Sequence, residues 1–141
     1  MHSYVRLTVA AEAYAVPVEH VLEAAELGQV RAVPGARREL LGVSNLRGRI
    51  LPVVDLAAVL GVHAGTGRVA PPRRLLVTEA SGIQAGFAVD EVSGIGSLGE
   101  PAEPTPDTQP GLLLGATLSE GELIGVVDVP GVFDSLTGGG Q

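Results

Sequence analysis

Residues 41–56 read LGVSNLRGRILPVVDL and predict a β-hairpin. Two apolar runs, residues 40–46 and 50–54, lie on either side of Arg47 and Gly48. A glycine between two such runs is typical of a tight turn that joins antiparallel strands. The sequence therefore predicts a hairpin with an apolar body and a basic tip.

The residues after this hairpin predict a short helix and then a connection. Asp55 stands in the N-cap position ahead of Leu56 to Leu60, and Gly61 is placed to end the helix. Residues 62–72 are rich in glycine and proline and poor in apolar side chains. We expect this segment to be a linker, and it is our approximate division between two lobes of one domain.

Two strands are predicted before the hairpin. Apolar residues recur at every second position from Val5 to Val9 and again from Tyr14 to Val18, the period of a strand with one buried face. Pro17 lacks an amide donor, so the second strand is expected either to lie at a sheet edge or to end there. The segment Val18 to Leu27 fits a short helical turn or a strand equally well, and both alternatives stay open.

Further strands are predicted after the linker, and they are Leu75 to Thr78, Gln84 to Val89, Glu91 to Ile95, Leu112 to Leu118 and Leu123 to Val127. A proline-rich acidic loop from Gly99 to Pro110 is expected to be mobile, and Val129 to Leu136 predicts a closing helix with Asp128 as its cap. Asp55, Asp90 and Asp128 each follow a pair of apolar residues. This repetition is a weak indication of two similar lobes.

The composition favours an all-β fold. Of the 141 residues, 45% are hydrophobic but only 3% are aromatic, so Val, Leu, Ile and Ala must fill the core. Abundant β-branched residues favour sheet, and 20 Gly with 10 Pro imply many turns between short elements. Cysteine is absent, which excludes a disulfide framework and a thiolate zinc site and favours the cytosol.

Charge and hydropathy exclude several classes of partner. The net charge of -7 opposes binding to nucleic acid or to anionic lipid. No run approaches the roughly 20 apolar residues that a transmembrane helix needs, and the first residues do not resemble a signal peptide. We therefore expect any association with a membrane to come through a partner and not through direct insertion.

No catalytic, metal or cofactor site is predicted. His2, His20 and His63 are far apart in the sequence, and no cysteine accompanies them, so their spacing does not indicate a metal site. Residues 42–46, GVSNL, begin like a G-x-S-x-G nucleophile elbow but end in leucine, and no phosphate-binding loop is present. The three aspartates Asp55, Asp90 and Asp128 fit helix caps or turns, so a small hydrolase or ligand sensor built on them is a remote alternative.

Arg47 and Arg49 are the remaining candidates for a functional site. Side chains alternate along a strand, so both are expected on the same side of the hairpin, with Gly48 leaving room for a partner backbone. Arginine is enriched among interface hot spots because its planar head makes several hydrogen bonds. The alternative is a solubilising pair on an exposed turn, and the residues alone do not decide between the two.

The hairpin and its flanks resemble the CheW family. The Gly-Val, Asn-Leu-Arg-Gly and Pro-Val-x-Asp-Leu elements within residues 41–56 look like the signature of CheW-type domains. Upstream, residues 12–16 (EAYAV) are followed by Val21 and Glu23 at the family's spacing, and downstream residues 86–92 (GFAVDEV) resemble its Gly-x-x-Val-Asp-x-Val. Residues 111–115 and 124–128 look like the family's last strand pair, so the resemblance covers nearly the whole chain.

The resemblance implies a single CheW-like domain over residues 1–141, built from two SH3-like five-stranded β-barrels with a hydrophobic seam between them. It implies a non-catalytic adaptor without cofactors that couples chemoreceptors, the methyl-accepting chemotaxis proteins, to the histidine kinase CheA in a two-component pathway. Such an adaptor is expected in the cytoplasm and is recruited to membrane-associated receptor arrays through its partners. The alternative is a CheW-like scaffold in another signalling pathway, such as surface motility or development.

The resemblance also assigns residues to the two partners. By position, the groove for the receptor's cytoplasmic tip would contain or adjoin Val21, Glu23, Gly42, Asn45 and Arg47. The lobe that binds the kinase's regulatory domain would be shaped by Gly86, Val89, Asp90 and Val92. Arg37-Arg38-Glu39 departs from the family, which has a more apolar stretch there.

Overall fold

The computed structural model describes residues 2–62, 71–99, 101 and 111–137, and these residues form a mainly β fold. The strands are β1 (His2–Val9), β2 (Glu12–Pro17), β3 (Val21–Glu26), β4 (Leu40–Leu46), β5 (Arg49–Asp55), β6 (Arg74–Ala80), β7 (Ile83–Val89), β8 (Glu91–Leu98), β9 (Leu113–Ser119) and β10 (Glu122–Val127). The helices are α1 (Leu56–Leu60) and α2 (Val129–Thr137), and a 3-10 turn covers Val18–His20. The predicted all-β class with a few short helices is confirmed.

The strands form two five-stranded sheets. In the first sheet the order is β8-β1-β2-β10-β9, and in the second it is β3-β6-β7-β5-β4. Neighbouring strands are antiparallel except for two pairs, β2 with β10 and β5 with β7, which run parallel. The closure of each sheet into an SH3-like barrel stays a prediction.

The second sheet is built from consecutive strands, whereas the first combines strands from both ends of the chain. Strands β5 and β6 precede and follow the 62–72 segment, and both belong to the second sheet. The predicted division between two lobes at this segment is therefore wrong, because the chain changes sheet between β2 and β3 and again between β7 and β8. Glycine and proline are frequent in any surface connection, whether it joins two lobes or two strands of one sheet, and here the connection joins two strands of one sheet. Residues 63–70 lie outside the described residues.

Both sheets follow one plan. The first sheet contains a hairpin β9–β10 whose two-residue turn has positive φ at Glu120 (51°) and Gly121 (80°). The corresponding turn of the second sheet, between β4 and β5, has nearly the same angles at Arg47 (51°) and Gly48 (86°). Each hairpin has one register shift at its open end, and each is joined to its neighbour by the parallel pairing. This correspondence supports the duplication that the repeated aspartates indicated.

Three apolar clusters form the core. The largest lies between the sheets and contains buried residues of both, including Leu7 and Val16 of the first and Leu76 and Phe87 of the second. Two smaller clusters belong to one sheet each. The expected hydrophobic seam between the two halves is therefore present. Strands β6 and β7 contribute to the seam on one face and to a smaller cluster on the other, which explains why their sequences are continuous apolar runs.

The segment Val18 to Leu27, for which a helical turn and a strand were both left open, contains both. A 3-10 turn over Val18–His20 is followed directly by β3. Val18 was expected on the buried face of the second strand, but this is wrong, since it lies in the turn and is 38% exposed. Strand β2 ends at Pro17, which was one of the two predicted alternatives, and it occupies the middle of its sheet and not an edge. The predicted loop from Gly99 to Pro110 lies mostly outside the described residues.

Candidate functional site

The tip of the β4–β5 hairpin presents Arg47. The positive φ of Arg47 and Gly48 forms a two-residue turn, the type whose twist matches that of paired strands. Asn45 stabilises the turn, because its side-chain Oδ1 accepts a hydrogen bond from the Gly48 amide at 2.7 Å. Two of the predicted site residues, Asn45 and Arg47, are thus neighbours here, with Asn45 in a structural role and Arg47 projecting outward.

Glu23 on β3 accepts hydrogen bonds from both arginines of this hairpin. Arg47 Nη2 lies 2.5 Å from each carboxylate oxygen, and Arg49 Nη2 lies 3.5 Å from Oε2. Strands β3 and β4 occupy opposite edges of the second sheet. The ion pairs therefore join edge strand β3 to the tip of the β4–β5 hairpin at the other side of the sheet, and they confirm that Arg47 and Arg49 lie on the same side of the hairpin.

Arg49 extends this arrangement across the sheet. Its Nη1 donates a hydrogen bond to Gln84 Oε1 at 2.7 Å, and Gln84 Nε2 in turn donates to Glu79 Oε2 at 3.5 Å. We call Glu23, Arg47, Arg49, Gln84 and Glu79 the Glu23 cluster. Gln84 and Glu79 were missed by the sequence analysis, because only the β6–β7 pairing brings them beside β5, and no local pattern marks them.

The Glu23 cluster orients guanidinium groups more than it stabilises the fold. The side chain of Glu23 is 30% exposed, while those of Arg47 and Arg49 are 65% and 44% exposed. Exposed ion pairs of this kind contribute about 0–1 kcal/mol to stability. Arg47 and Arg49 share the Glu23 carboxylate, and the second carboxylate, Glu79, contacts Gln84, so the cluster as a whole is formally neutral. Its positive charge is confined to the hairpin tip, where the exposed guanidinium groups suit an acidic group on a partner.

Two other predicted receptor-site residues have structural positions. Gly42 has φ of 147°, and a Cβ added there would lie 2.0 Å from the carbonyl oxygen of Arg31. Arg31 pairs with Val43 through hydrogen bonds of 2.8 and 2.9 Å, so Gly42 permits this close backbone approach. Val21 begins β3 and packs, partly buried, against the seam between the sheets. Gly42 and Val21 are therefore structural, while Glu23, Asn45 and Arg47 are the solvent-accessible members of the predicted receptor site.

The four residues assigned to the kinase-binding lobe lie in or beside the interior. A Cβ at Gly86 would lie 2.4 Å from Leu75 Cδ1, and Val89 is 1% exposed. Asp90 accepts a hydrogen bond from the Ala10 amide at 2.8 Å, and Val92 packs against the seam. Gly86 and Val89 belong to β7 of the second sheet, the same sheet as the receptor-site residues, so the expected separation into two lobes is wrong for them. The alternation of β7 places Phe87 and Val89 in the cluster between the sheets and Ala88 in a smaller cluster of the second sheet.

Exposed aliphatic side chains mark other surfaces that the sequence analysis did not single out. Leu118 and Leu123 face each other across the β9–β10 hairpin and are 70% and 67% exposed. Ile50 on β5 and Ile83 on β7 are 61% and 55% exposed. The sequence could have indicated these surfaces, because a strand with one buried face and apolar residues on both faces exposes some of them, as at Ile50 beside the buried Leu51. Contiguous exposed apolar side chains are typical of interaction surfaces.

The three aspartates do not form a catalytic group. Asp128 Oδ1 accepts a hydrogen bond from the Gly131 amide at 3.0 Å and caps α2 as predicted. Asp55 precedes α1 but makes no capping hydrogen bond with its side chain. Within the described ranges no three His, Asp or Glu side chains are grouped so that they could hold a metal ion. Burial raises the pKa of the Tyr14 phenol, and the Glu12 carboxylate adds to the rise, but Tyr14 lies on β2 outside the Glu23 cluster.

Comparisons with known proteins agree with this architecture. The family model of the CheW-like domain matches residues 3–137. A solved structure of the scaffolding protein TtCheW from Thermoanaerobacter tengcongensis aligns with a TM-score of 0.76 at 24% identity, over 90% of this chain and 88% of that one. No helix in the described part of the chain is long and apolar enough to span a membrane.

Several curated relatives are similar in sequence. The chemotaxis protein CheW of Thermotoga maritima is 34% identical over 60% of this chain and 54% of that protein. Protein FrzA of Myxococcus xanthus is 34% identical over 82% and 68%, and protein PilI of Pseudomonas aeruginosa is 37% identical over 58% and 45%. The chain thus spans about half to two thirds of the length of these relatives. Its match to the family model is nearly complete, and the chain belongs to the family of CheW-like domains, whose members are non-catalytic scaffold proteins.

Proposed function

We propose that this chain is an adaptor that holds the cytoplasmic tip of a chemoreceptor and the regulatory domain of a CheA-type histidine kinase in one complex. The observation that carries the proposal is the Glu23 cluster, in which one carboxylate orients two exposed guanidinium groups at a hairpin tip. Membership of the CheW-like family supports the adaptor role. The protein would act in the cytoplasm and reach membrane-associated receptor arrays through these partners.

The receptor is assigned to the Glu23 cluster because the cluster holds two exposed guanidinium groups in a fixed orientation. Arg47 is 65% exposed, yet its guanidinium is already held by Glu23, so little side-chain entropy is lost when it binds a partner. Preorganised arginines are frequent hot spots. The expected ligand is a helical hairpin that presents an acidic or carbonyl-rich turn to Arg47 and Arg49.

The kinase is assigned to the first sheet. Its β9–β10 hairpin corresponds in plan to the β4–β5 hairpin but has the exposed pair Leu118 and Leu123 near its tip. Burial of apolar area contributes roughly 25 cal/mol per Å², so such a pair suits a largely apolar protein interface. A partner on each sheet would be held at a fixed mutual geometry. Movement of the receptor tip would then bias the conformational equilibrium of the kinase.

Calorimetric titration with a soluble receptor-tip fragment tests the receptor assignment. Arg47→Ala is expected to weaken receptor binding and to leave titration with the kinase regulatory domain unchanged. Arg6→Ala is the matched control, since Arg6 makes an exposed ion pair with Glu122 at 3.5 Å on the other sheet. Equal loss of receptor affinity in both variants would show that general charge, and not the Glu23 cluster, attracts the receptor.

The kinase assignment is tested with the double variant Leu118→Ser and Leu123→Ser. Both side chains are about two-thirds exposed, at 70% and 67%, so the fold is expected to remain intact. Affinity for the kinase regulatory domain should fall while affinity for the receptor tip is retained. Unchanged kinase binding would move that interface away from the β9–β10 hairpin.

A scaffold role outside chemotaxis, such as surface motility or development, is the second candidate. It is favoured by the similarity to FrzA and PilI, which is as high as the similarity to proteins named CheW. The two candidates differ in partners and not in the mechanism of coupling. Capture of kinases and receptors from the source cell, followed by their identification, distinguishes them.

A further inference from the structure

An apolar pocket of about 420 Å³ opens between α2 and the second sheet. Its walls include Leu40, Pro52, Val54, Ala85, Phe133 and Leu136. None of these residues belongs to the Glu23 cluster or to the exposed leucine pair on β9–β10. The volume falls in the range of about 300–1,000 Å³ that is typical of small-molecule sites. The pocket is therefore separate from both partner surfaces proposed above.

Small residues keep this pocket open. Gly35 and Ala36 form the part of the wall contributed by the loop before β4, and Ala85 contributes only a methyl group from β7. Ile83 at the same pocket is 55% exposed, so apolar surface faces water here. Transfer of an alkyl chain into such a space removes apolar surface from water on both sides, which is favourable.

The pocket has one cationic group. Arg37 is the only charged residue among the described residues that line it. Its Nη1 donates a hydrogen bond to the carbonyl oxygen of Ser135 on α2 at 2.9 Å. This bond ties the side chain to the helix that forms the opposite wall, and the guanidinium has further N–H donors. A guanidinium binds a carboxylate through two parallel hydrogen bonds.

We propose that this pocket binds a medium-chain alkyl carboxylate, with the alkyl chain against the apolar walls and the carboxylate on Arg37. One guanidinium matches a single negative charge, and no acidic side chain for a cationic head group is among the described residues that line the pocket. The ligand would bridge α2 and the second sheet, because Phe133 and Leu136 come from the helix while Val54 and Ala85 come from the strands. Binding would therefore stiffen the attachment of α2.

Calorimetry with octanoate, octanol and octylammonium tests the proposal on the whole chain. Octanoate is expected to bind most tightly, and Arg37→Gln should weaken it by about tenfold, the lower end for a charge-assisted hydrogen bond at an exposed position. The same variant should leave octanol binding unchanged. Arg38→Gln is the matched control, since it removes the same charge from the next residue, which does not line the pocket.

A second variant tests the location. Ala36→Phe places a large side chain in the pocket from a loop outside the strands and should abolish binding of octanoate and octanol alike, while an unchanged thermal midpoint shows that the fold is intact. The proposal is overturned if octanoate does not bind, if it binds Ala36→Phe as well as the unmodified chain, or if Arg37→Gln and Arg38→Gln weaken it equally. If octanoate does not bind, but Ala36→Phe prevents the binding of a partner protein, the pocket is instead a docking site for a side chain of that partner.

Discussion

Substitution of Gly42 distinguishes a structural role from direct contact with a receptor. The resemblance to the CheW family placed Gly42 in the receptor groove, whereas the structure places the Arg31 backbone against it. In Gly42→Ala the new Cβ would lie 2.0 Å from the Arg31 carbonyl oxygen and 2.6 Å from its carbon. Both are backbone atoms, so neither can move aside as a flexible side chain would. The Arg31 segment must therefore separate from β4.

The cost can be worked out from two contributions, the backbone conformation and the lost hydrogen bonds. Gly42 has φ of 147°, a backbone conformation that costs a residue with a side chain about 1–3 kcal/mol of folding free energy. Separation of Arg31 from Val43 breaks two hydrogen bonds, each worth about 1 kcal/mol net. The sum is about 3–5 kcal/mol, a large part of the roughly 5–15 kcal/mol by which domains are stable. Gly42→Ala should therefore be strongly destabilised.

Urea unfolding followed by circular dichroism measures this cost, since the chain has no tryptophan to serve as a fluorescent probe. Gly48→Ala is the matched control, because Gly48 also has positive φ, 86°, but a Cβ there would meet nothing within 4 Å. It should lose only about 1 kcal/mol, from the backbone conformation alone. Equal stability of the two variants would refute the argument from steric overlap. A stable Gly42→Ala protein that fails to bind the receptor tip would instead show direct contact.

Two further predictions concern a phenol and a helix cap. Burial raises the pKa of the Tyr14 phenol above 10.0. The stability that this group contributes is therefore complete below its unfolded pKa and is lost as pH rises through its folded pKa. Absorbance titration should show a late phenolate step that Tyr14→Phe lacks, and identical titration curves for the two proteins would contradict this. Asp128→Ala removes the cap bond to the Gly131 amide and should cost about 1 kcal/mol in urea unfolding. Asp55→Ala, which removes no capping bond, should cost clearly less, and equal losses would show that the cap contributes nothing.

Local features of the fold could be predicted from the sequence, but the pairing of distant strands could not. The β4–β5 hairpin followed from two apolar runs around Gly48, and α1 followed from the residues between Asp55 and Gly61, because each depends on neighbours in the chain. The segment 62–72 was misread as a boundary, because composition shows where the chain is irregular but not which sheet the next strand joins. For the same reason the arrangement of the Glu23 cluster could not be predicted, since Glu23 and Gln84 reach the hairpin tip only through long-range strand pairing.

The repeated plan of the two sheets is compatible with the two partners that we propose for this chain. In the corresponding hairpin turns, Arg47 of the second sheet stands where the first has Glu120, and the registers place Arg49 opposite Leu46 as they place Glu122 opposite Ser119. The two tips thus have the same backbone but opposite charge. Because the turns and parallel pairings that hold each sheet do not depend on these exposed side chains, their chemistry can differ without cost to the fold. Two hairpin tips with the same backbone and different charges fit the proposed adaptor role, and we expect substitutions at one tip to weaken binding of one proposed partner while binding of the other is retained.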